Sequence, residues 1–252
     1  MNSGASSMSA LRQWIGSVLF TGWMFGSVGF YAIAVIVIAP FGSAARYGIA
    51  KAWARLMMRS LNMLCGIDYR VRGAENIPNE AAVFLLKHSS ALETIAEIEI
   101  FPRQTWVLKR ELQWVPIFGW ALRLLDPIAI NRGGRRSAVK QVIKQGKAQL
   151  ENGVNVMIFP EGTRVPHGQS RRYGSSGVAL AKAADVPVIP VAHNAGVFWA
   201  RRGVRKFSGT VEFVIGEPVW VEDRDVRKVN EDIQQWMESE IDKMGGRELR
   251  SP

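Results

Sequence analysis

The sequence is poor in the residues that build disulfides and metal sites. Cys65 is the single cysteine among 252 residues, and histidine occurs three times. One cysteine excludes an internal disulfide and fits a reducing compartment. Because the cysteine and the histidines are not clustered at metal-ligand spacing, we predict no bound zinc.

Acidic residues are missing from the first 67 positions. All 22 aspartates and glutamates follow residue 67, whereas five of the 32 basic residues precede it. These five are Arg12, Arg46, Lys51, Arg55 and Arg59. Half of the net charge of +10 therefore lies beside the most hydrophobic part of the chain. The sequence shows no nucleic-acid-binding motif, so we predict that nucleic acid is not a partner. The placement of the charge favours the anionic head groups of membrane lipid instead.

Charge of either sign is missing from residues 13–45. Their apolar core, WIGSVLFTGWMFGSVGFYAIAVIVIAPF, is longer than the about 20 residues that cross a bilayer and than the core of a signal peptide. The prediction is a membrane helix. The four glycines leave a broken helix or a hairpin that enters one leaflet as an alternative, and a buried core helix is a third interpretation.

Residues 44–64 have the pattern of an amphipathic helix. Lys51, Arg55 and Arg59 recur every four residues and share one face, while Trp53 and other apolar side chains share the opposite one. Two interpretations are open: a solvated basic face above a protein core, or a helix that lies on the membrane surface.

From Asp68 onward, short β-rich runs alternate with helical stretches. This alternation predicts an α/β fold with a largely parallel mixed sheet flanked by helices. Predicted strands are 69–72, 82–87, 105–109, 127–130, 154–159, 187–192 and 210–215. Predicted helices are 91–100, 117–125, 135–151, 175–184 and 223–243. We divide the chain into a tail (1–12), a membrane-associated helical segment (13–64) and one α/β domain (65–252).

The stretch VFLLKH, residues 83–88, predicts a buried parallel strand because its apolar side chains do not alternate with polar ones. Functional side chains in open α/β sheets emerge at the carboxyl ends of strands, and His88 lies at such an end. A neutral imidazole there can accept a proton from a substrate hydroxyl near neutral pH. His88 is therefore a candidate general base.

Glu93 follows His88 by five residues and has two interpretations. Ser90 to Glu93 matches the S-x-x-E capping box, in which Ser90 is the N-cap and Glu93 accepts its backbone N–H. Alternatively, the carboxylate orients the imidazole of His88. Spacing alone favours the cap.

A second buried strand ends in the turn FPEGTR, residues 159–164. The turn offers exposed backbone N–H groups at Gly162 and Thr163, and the guanidinium of Arg164 suits a phosphate. The alternative is an ordinary turn with a solvated arginine, but the six-residue string is highly specific.

With these stretches the chain resembles the glycerolipid acyltransferases, and most closely the bacterial 1-acyl-glycerol-3-phosphate acyltransferase family. That family has a His-x4-Asp block, a block that ends in arginine, the FPEGTR block and a proline in a late apolar strand. Their counterparts, in the same order, are His88 to Glu93, Ile128 to Arg132, Phe159 to Arg164 and Val186 to Val191. The resemblance covers roughly residues 65–220.

The resemblance implies an acyltransferase of phospholipid biosynthesis. It would move an acyl chain from a thioester, acyl-CoA or acyl-carrier protein, to the sn-2 hydroxyl of lysophosphatidic acid and form phosphatidic acid. No metal or other cofactor is implied. Residues 65–252 would be the catalytic domain. The basic residues that follow the apolar run would place this domain on the cytoplasmic face of the inner membrane.

The resemblance also implies roles for individual residues. His88 would be the general base, with Glu93 in the catalytic pair. The glycerol phosphate would be bound by Arg132, Glu161, Gly162, Thr163 and Arg164. The chain departs from the family where Glu93 replaces aspartate, where Asn131 stands for an acid that often precedes the arginine, and where Tyr173 stands for a common lysine that Arg171 or Arg172 would replace.

The other two histidines have structural interpretations. His167 is predicted to be solvated in a loop. His193 follows a late strand and is predicted to be structural, with a position in the cleft as the alternative.

Two rival functions remain at this point. One is acylation of another lysolipid, such as a lyso-aminolipid. The other is a non-catalytic membrane protein that binds anionic lipid, which would leave His88 and FPEGTR without a purpose.

Overall fold

The computed structural model describes residues 9–131 and 134–245; Arg132, a predicted substrate-binding residue, lies outside them. The α-helices within these ranges are α1 (Ala10–Val37), α2 (Ser43–Cys65), α3 (Leu92–Ile100), α4 (Phe118–Arg123), α5 (Arg135–Glu151), α6 (Ser176–Ala184), α7 (Ala195–Phe198) and α8 (Val226–Met244). The strands are β1 (Ile67–Arg72), β2 (Val83–Leu86), β3 (Gln104–Lys109), β4 (Ile128–Ile130), β5 (Asn155–Ile158), β6 (Val188–His193) and β7 (Gly209–Ile215). Short 3-10 helices occupy Ala39–Phe41, Ala74–Asn76 and Arg110–Trp114.

The strands form one sheet in the order β1-β7-β6-β2-β5-β3-β4. Neighbouring strands are parallel except for β6 and β7, which are antiparallel. The predicted largely parallel mixed sheet is confirmed, and every predicted strand is present with ends shifted by at most two residues. Helix α7 was not predicted, because four residues carry too little periodicity to be recognised.

Alternation of side chains along β2 supplies both layers of the core. Phe84 and Leu86 point into the cluster beneath α2 and α3. Val83 and Leu85 point into the cluster beneath α5, α6 and α8. Because successive side chains of a strand face opposite sides of the sheet, a strand with helices on both faces must be apolar throughout. This explains why VFLL does not alternate.

Helix α1 packs along α2 instead of standing apart from the domain. Phe20 of α1 is fully buried in the same cluster as the inner face of α2. Polar groups join the two helices: Trp23 Nε1 donates to Ser60 Oγ at 3.2 Å, and Trp53 Nε1 donates to Ser27 Oγ at 3.1 Å. The predicted helix at 44–64 is confirmed, and its apolar face covers the domain core.

A buried lysine joins α1 to the α/β domain. Nζ of Lys206 donates to the backbone oxygen of Ser17 at 3.3 Å, to Thr21 Oγ1 at 2.7 Å and to the oxygen of Val204 at 2.9 Å. Burial lowers the pKa of Lys206 to about 8. A long apolar helix is therefore held to the domain by polar contacts as well as by packing.

Helices α1 and α2 are in close contact at Gly16, where a Cβ atom would collide with the carbonyl of Leu64. We expect Gly16→Ala to lower the free energy of unfolding by about 1–3 kcal/mol, because the helices must separate to admit the methyl group. Thermal unfolding in detergent measures this.

Gly22 is the matched control, since it lies on the same helix and a Cβ there meets nothing within 4 Å. Gly22→Ala is expected to be neutral or to stabilise the protein by up to about 1 kcal/mol through helix propensity. Equal melting temperatures for the two variants would contradict the close contact.

Candidate active site

The carboxyl ends of β2 and β5 lie side by side and bring two predicted motifs together. The ring of His88 stacks on the ring of Phe159, with centroids 4.1 Å apart and an interplanar angle of 24°. The N–H of Val165 donates to the carbonyl of His88 at 2.7 Å. The histidine and the FPEGTR turn are therefore one structural unit, as their strand-end positions predicted.

Glu93 is fully buried in the first turn of α3 and faces His88. Its Oε1 lies 3.0 Å from Nδ1 of His88 and accepts the backbone N–H groups of Ser89 at 3.0 Å and Ser90 at 2.9 Å. Burial alone would raise the pKa of Glu93. The hydrogen bond to His88, the nearby imidazoles and the Ser90 amide outweigh it, so the pKa lies below its ordinary value. The carboxylate is anionic at neutral pH.

An anionic carboxylate has consequences for the protonation of His88. Because the carboxylate can only accept, the proton of the neutral imidazole resides on Nδ1, and Nε2 is left as an acceptor. The ring contributes to the wall of a large cleft. This tautomer is the one that a general base requires.

Both interpretations of Glu93 hold in the same geometry. Oε1 makes the contact that each interpretation predicts: it accepts the N–H of Ser90, and it lies 3.0 Å from Nδ1 of His88. The predicted N-cap at Ser90 is wrong by one residue: the helix begins at Leu92 and the N-cap residue is Ala91. The hydroxyl of Ser90 still accepts the N–H of Leu92 at 3.1 Å, because the extra residue turns the chain before the helix.

A buried charge network behind the FPEGTR turn was not predicted. Nζ of Lys87 lies 3.4 Å from Glu161 Oε1 and donates to Glu238 Oε1 at 2.7 Å. The hydroxyl of Tyr173 donates to the same oxygen of Glu238 at 3.0 Å. Burial raises the pKa of Glu161 to about 7, although the charge of Lys87 opposes this. The lysine at the end of an apolar run was a usable signal for Lys87, whereas Glu238 is one of several acids on the amphipathic helix α8 and no local signal distinguishes it.

Residues 162–164 form the cleft side of the turn. Gly162 has a φ of +68°, which favours glycine, and its N–H donates to the carbonyl of Phe159 at 3.0 Å. The expected exposed N–H group at Gly162 is therefore used within the turn. Thr163 and Arg164 are half-buried in the cleft wall. Among the described residues, the Nε atom of Arg164 is buried without a hydrogen-bond partner.

The cleft has a volume of about 1780 Å³ and two kinds of lining. Cations line one part, and they include Arg164, Arg171 and Arg172. Apolar side chains of α1 to α4 line the other. Glu97 lies among them, and burial, together with the charge of Glu93, raises its pKa well above the ordinary value, which favours the neutral acid. The cleft therefore has the composition that an amphiphile with an anionic head group needs.

The structural role predicted for His193 is confirmed. The side chain is buried, its Nε2 lies 2.7 Å from the carbonyl of Lys87, and its Nδ1 accepts the N–H of Ala195 at 3.2 Å. Burial lowers its pKa, so the ring stays neutral. His167, which was predicted to be solvated in a loop, is half-buried beside Gly196.

Comparison with known proteins agrees with this geometry. A family model described as Acyltransferase matches residues 68–194. The 1-acyl-sn-glycerol-3-phosphate acyltransferase of Pseudomonas aeruginosa is 40% identical over 92% of this chain and 91% of its own length. The chain belongs to the acyltransferase family. The family is one of enzymes, which sets aside the non-catalytic alternative.

Other relatives extend the comparison. The human 1-acyl-sn-glycerol-3-phosphate acyltransferase alpha is 31% identical over 66% of this chain and 59% of its own length. The crystal structure of the 1-acyl-sn-glycerophosphate acyltransferase PlsC from Thermotoga maritima matches with a TM-score of 0.78. It is 20% identical and covers 95% of this chain and all of its own, so it shares the fold.

Replacing Glu93 by Gln separates orientation from charge. The Gln oxygen can still accept the amides of Ser89 and Ser90, so α3 keeps its cap, but an imidazolium at His88 loses its counter-charge. We expect kcat to fall by roughly 10²-fold or more, with helix content unchanged by circular dichroism. Glu93→Asp keeps the charge and is expected to retain part of the activity.

Ser90→Ala is the control for capping alone. It removes the hydroxyl that accepts the N–H of Leu92 but leaves the contacts of Glu93 in place. We expect a loss of about 1 kcal/mol in stability without the loss of kcat. Near-normal turnover in Glu93→Gln would show that the carboxylate serves only the cap.

Proposed function

We propose that this acyltransferase acylates the sn-2 hydroxyl of lysophosphatidic acid and forms phosphatidic acid. The observation that carries the proposal is the contact between the buried carboxylate of Glu93 and His88, at the wall of a cleft that also contains Arg164. The names of the relatives contain the same substrate and activity. Acyl-CoA or acyl-carrier protein would supply the acyl chain.

The proposed reaction needs one base and no covalent acyl-enzyme intermediate. Nε2 of His88 removes the proton of the lysolipid hydroxyl while its oxygen attacks the thioester carbonyl. The tetrahedral intermediate expels the thiolate, which takes the proton from the imidazolium, so an ester and a free thiol result. Glu93 stabilises the imidazolium between these steps. Holding both substrates beside His88 supplies a further part of the rate.

Arg164 is proposed as the main described contact of the glycerol phosphate. Its guanidinium retains an unpaired buried N–H group, which costs free energy unless an oxygen accepts it. A dianionic phosphate provides such oxygens in the planar arrangement that arginine recognises. Thr163 adds a hydroxyl to the same wall. Arg132 is proposed as a second cation, and Gly162 and Glu161 as the parts that shape the turn.

The apolar helix α1 indicates membrane association, because it is long and hydrophobic enough to cross a bilayer. We infer that residues 13–64 form the membrane-associated segment, that residues 65–252 form the catalytic domain, and that α1 lies in one leaflet. Because α1 is packed along α2 and held by Lys206, a spanning α1 would draw Arg55 and Arg59 of α2 into the hydrocarbon. Each charge there costs about 2.5–3.5 kcal/mol.

Labelling with a membrane-impermeant maleimide distinguishes the two arrangements. The native Cys65 is buried and serves as an unreactive background. We expect Ala10→Cys and Ala44→Cys, at exposed positions before and after the apolar run, to react from the same, cytoplasmic, side of the inner membrane. Reaction of the two positions from opposite sides would show that α1 spans the bilayer.

The activity itself is tested by the formation of phosphatidic acid from lysophosphatidic acid and an acyl thioester. His88→Ala is expected to abolish turnover. Arg164→Ala is expected to raise the KM for the lysolipid and to cost about 2–3 kcal/mol in kcat/KM, because a charge-assisted contact is lost.

Arg224→Ala is the matched control, since Arg224 is exposed and pairs with Asp232 at the surface. Its kinetics should equal those of the native protein. Equal activity on a lysolipid without a terminal phosphate, and no response of that activity to Arg164→Ala, would assign another substrate.

A further inference from the structure

A second exposed apolar surface lies outside α1 and α2, in the connection between β3 and β4. We call residues 110–123 the aromatic turn. Six of its large apolar side chains are exposed to solvent: Leu112, Trp114, Val115, Ile117, Phe118 and Trp120. Trp114 is 65% exposed and Trp120 is 54% exposed. A cluster of large apolar side chains with this exposed fraction indicates a surface that binds a partner.

The backbone holds these side chains outward. Gly119 donates its N–H to the carbonyl of Val115 at 2.7 Å, and a Cβ atom at Gly119 would lie 2.6 Å from the carbonyl of Gln113. Ile117 has a φ of +62°, which a β-branched residue rarely adopts. The exposure therefore belongs to a defined turn that requires glycine at position 119.

The aromatic turn is continuous with the apolar surface of α1. Ala121, on the inner side of α4, packs against Ala32 and Val35 of α1. The outer sides of both helices then lie next to each other, and α1 exposes Ile33 and Val37 nearby. A membrane that receives α1 is thus brought against the aromatic turn.

The cleft lies between these two elements. Leu112, Phe118 and Leu122 of the aromatic turn contribute to its wall, and so do Val28 and Tyr31 of α1. An acyl chain that enters between α1 and the turn therefore passes from one apolar surface to another.

Charge complementarity favours an anionic lipid surface as the occupant. Lys109, Arg110 and Arg123 are exposed at the two ends of the turn, and Glu111 is the one acid between them. Protein segments that contain tryptophan with flanking lysine and arginine bind at the head-group level of a membrane.

We propose that the aromatic turn inserts into the same leaflet as α1 and forms the second wall of a lateral opening to the cleft. Insertion is independent of the enzymatic activity. The use of the opening by the acyl chain of a lysolipid rests on the proposed function.

Insertion is tested with a fluorophore attached to single introduced cysteines. The full-length variants Trp114→Cys and Trp120→Cys are compared with Trp220→Cys. Trp220 is 47% exposed but lies next to Val219 and Val221, in the layer of α5, α6 and α8. Vesicles of phosphatidylethanolamine and phosphatidylglycerol with brominated acyl chains serve as the quencher.

We expect quenching at positions 114 and 120 to exceed that at position 220 at least twofold. Equal quenching at all three positions would overturn the proposal. Burial of the label without vesicles, together with a larger sedimentation coefficient, would overturn it too and assign the surface to a second copy of the chain.

A second measurement uses the unlabelled double variant Trp114→Ser/Trp120→Ser against Trp220→Ser. Removal of two inserted indoles should weaken vesicle binding by roughly 10–100-fold. It should also lower the ratio of the rate on vesicle-borne lysophosphatidic acid to the rate on a monomeric short-chain form. Native vesicle affinity in the double variant would contradict insertion.

The two proposals fail in different ways. If the native protein acylated neither form of lysophosphatidic acid, the proposed function would be wrong while the quenching result stood. If it acylated both forms and the double variant kept the native ratio, the opening would be wrong while the function stood.

Discussion

One buried carboxylate oxygen organises the active site. Oε1 of Glu93 receives His88 and the backbone amides of Ser89 and Ser90, all within 3.0 Å. A fully buried carboxylate without such partners would be strongly destabilising, so these contacts are a condition of folding, and the catalytic role proposed for Glu93 depends on the same oxygen. The same charge that begins helix α3 selects the tautomer of the histidine. The family has aspartate at this position and this chain has glutamate. Both side chains are anionic, and in this chain the glutamate reaches the imidazole.

The end of β2 directs two polar side chains to opposite faces of the sheet. Because successive residues of a strand point in opposite directions, Lys87 faces α8 and meets Glu238, while His88 faces α3 and meets Glu93. Lys87 also lies 3.4 Å from Glu161, at the start of the turn that carries Arg164. Through Lys87, helix α8 is thus joined to the turn that carries Arg164, and the same strand end carries His88, the proposed base.

The regular part of the fold was predictable because its signals are local. Unalternating apolar runs predicted the buried strands, and a specific string predicted the turn at 159–164. Contacts between distant positions have no local signal. The residues around Ser17 do not predict the hydrogen bond from Lys206. The sequence of helix α8 does not predict which of its acidic residues pairs with Lys87. Hydropathy predicted that α1 is long and apolar enough to enter a membrane, but it could not reveal that Gly16 brings the helix against the carbonyl of Leu64.

Docking of α1 on the domain has a consequence for catalysis at a membrane. A lysolipid keeps its acyl chain in the apolar layer and its phosphate in the head-group layer, so its hydroxyl occupies a narrow range of depths. A domain on a flexible tether would sample many ångströms of height, whereas proton transfer needs the reacting atoms within hydrogen-bond reach. Here Lys206, Gly16 and Phe20 fix the anchor against the core that also carries β2. The distance from α1 to His88 is therefore set by packing, which would hold the proposed base at one depth relative to a membrane that receives α1.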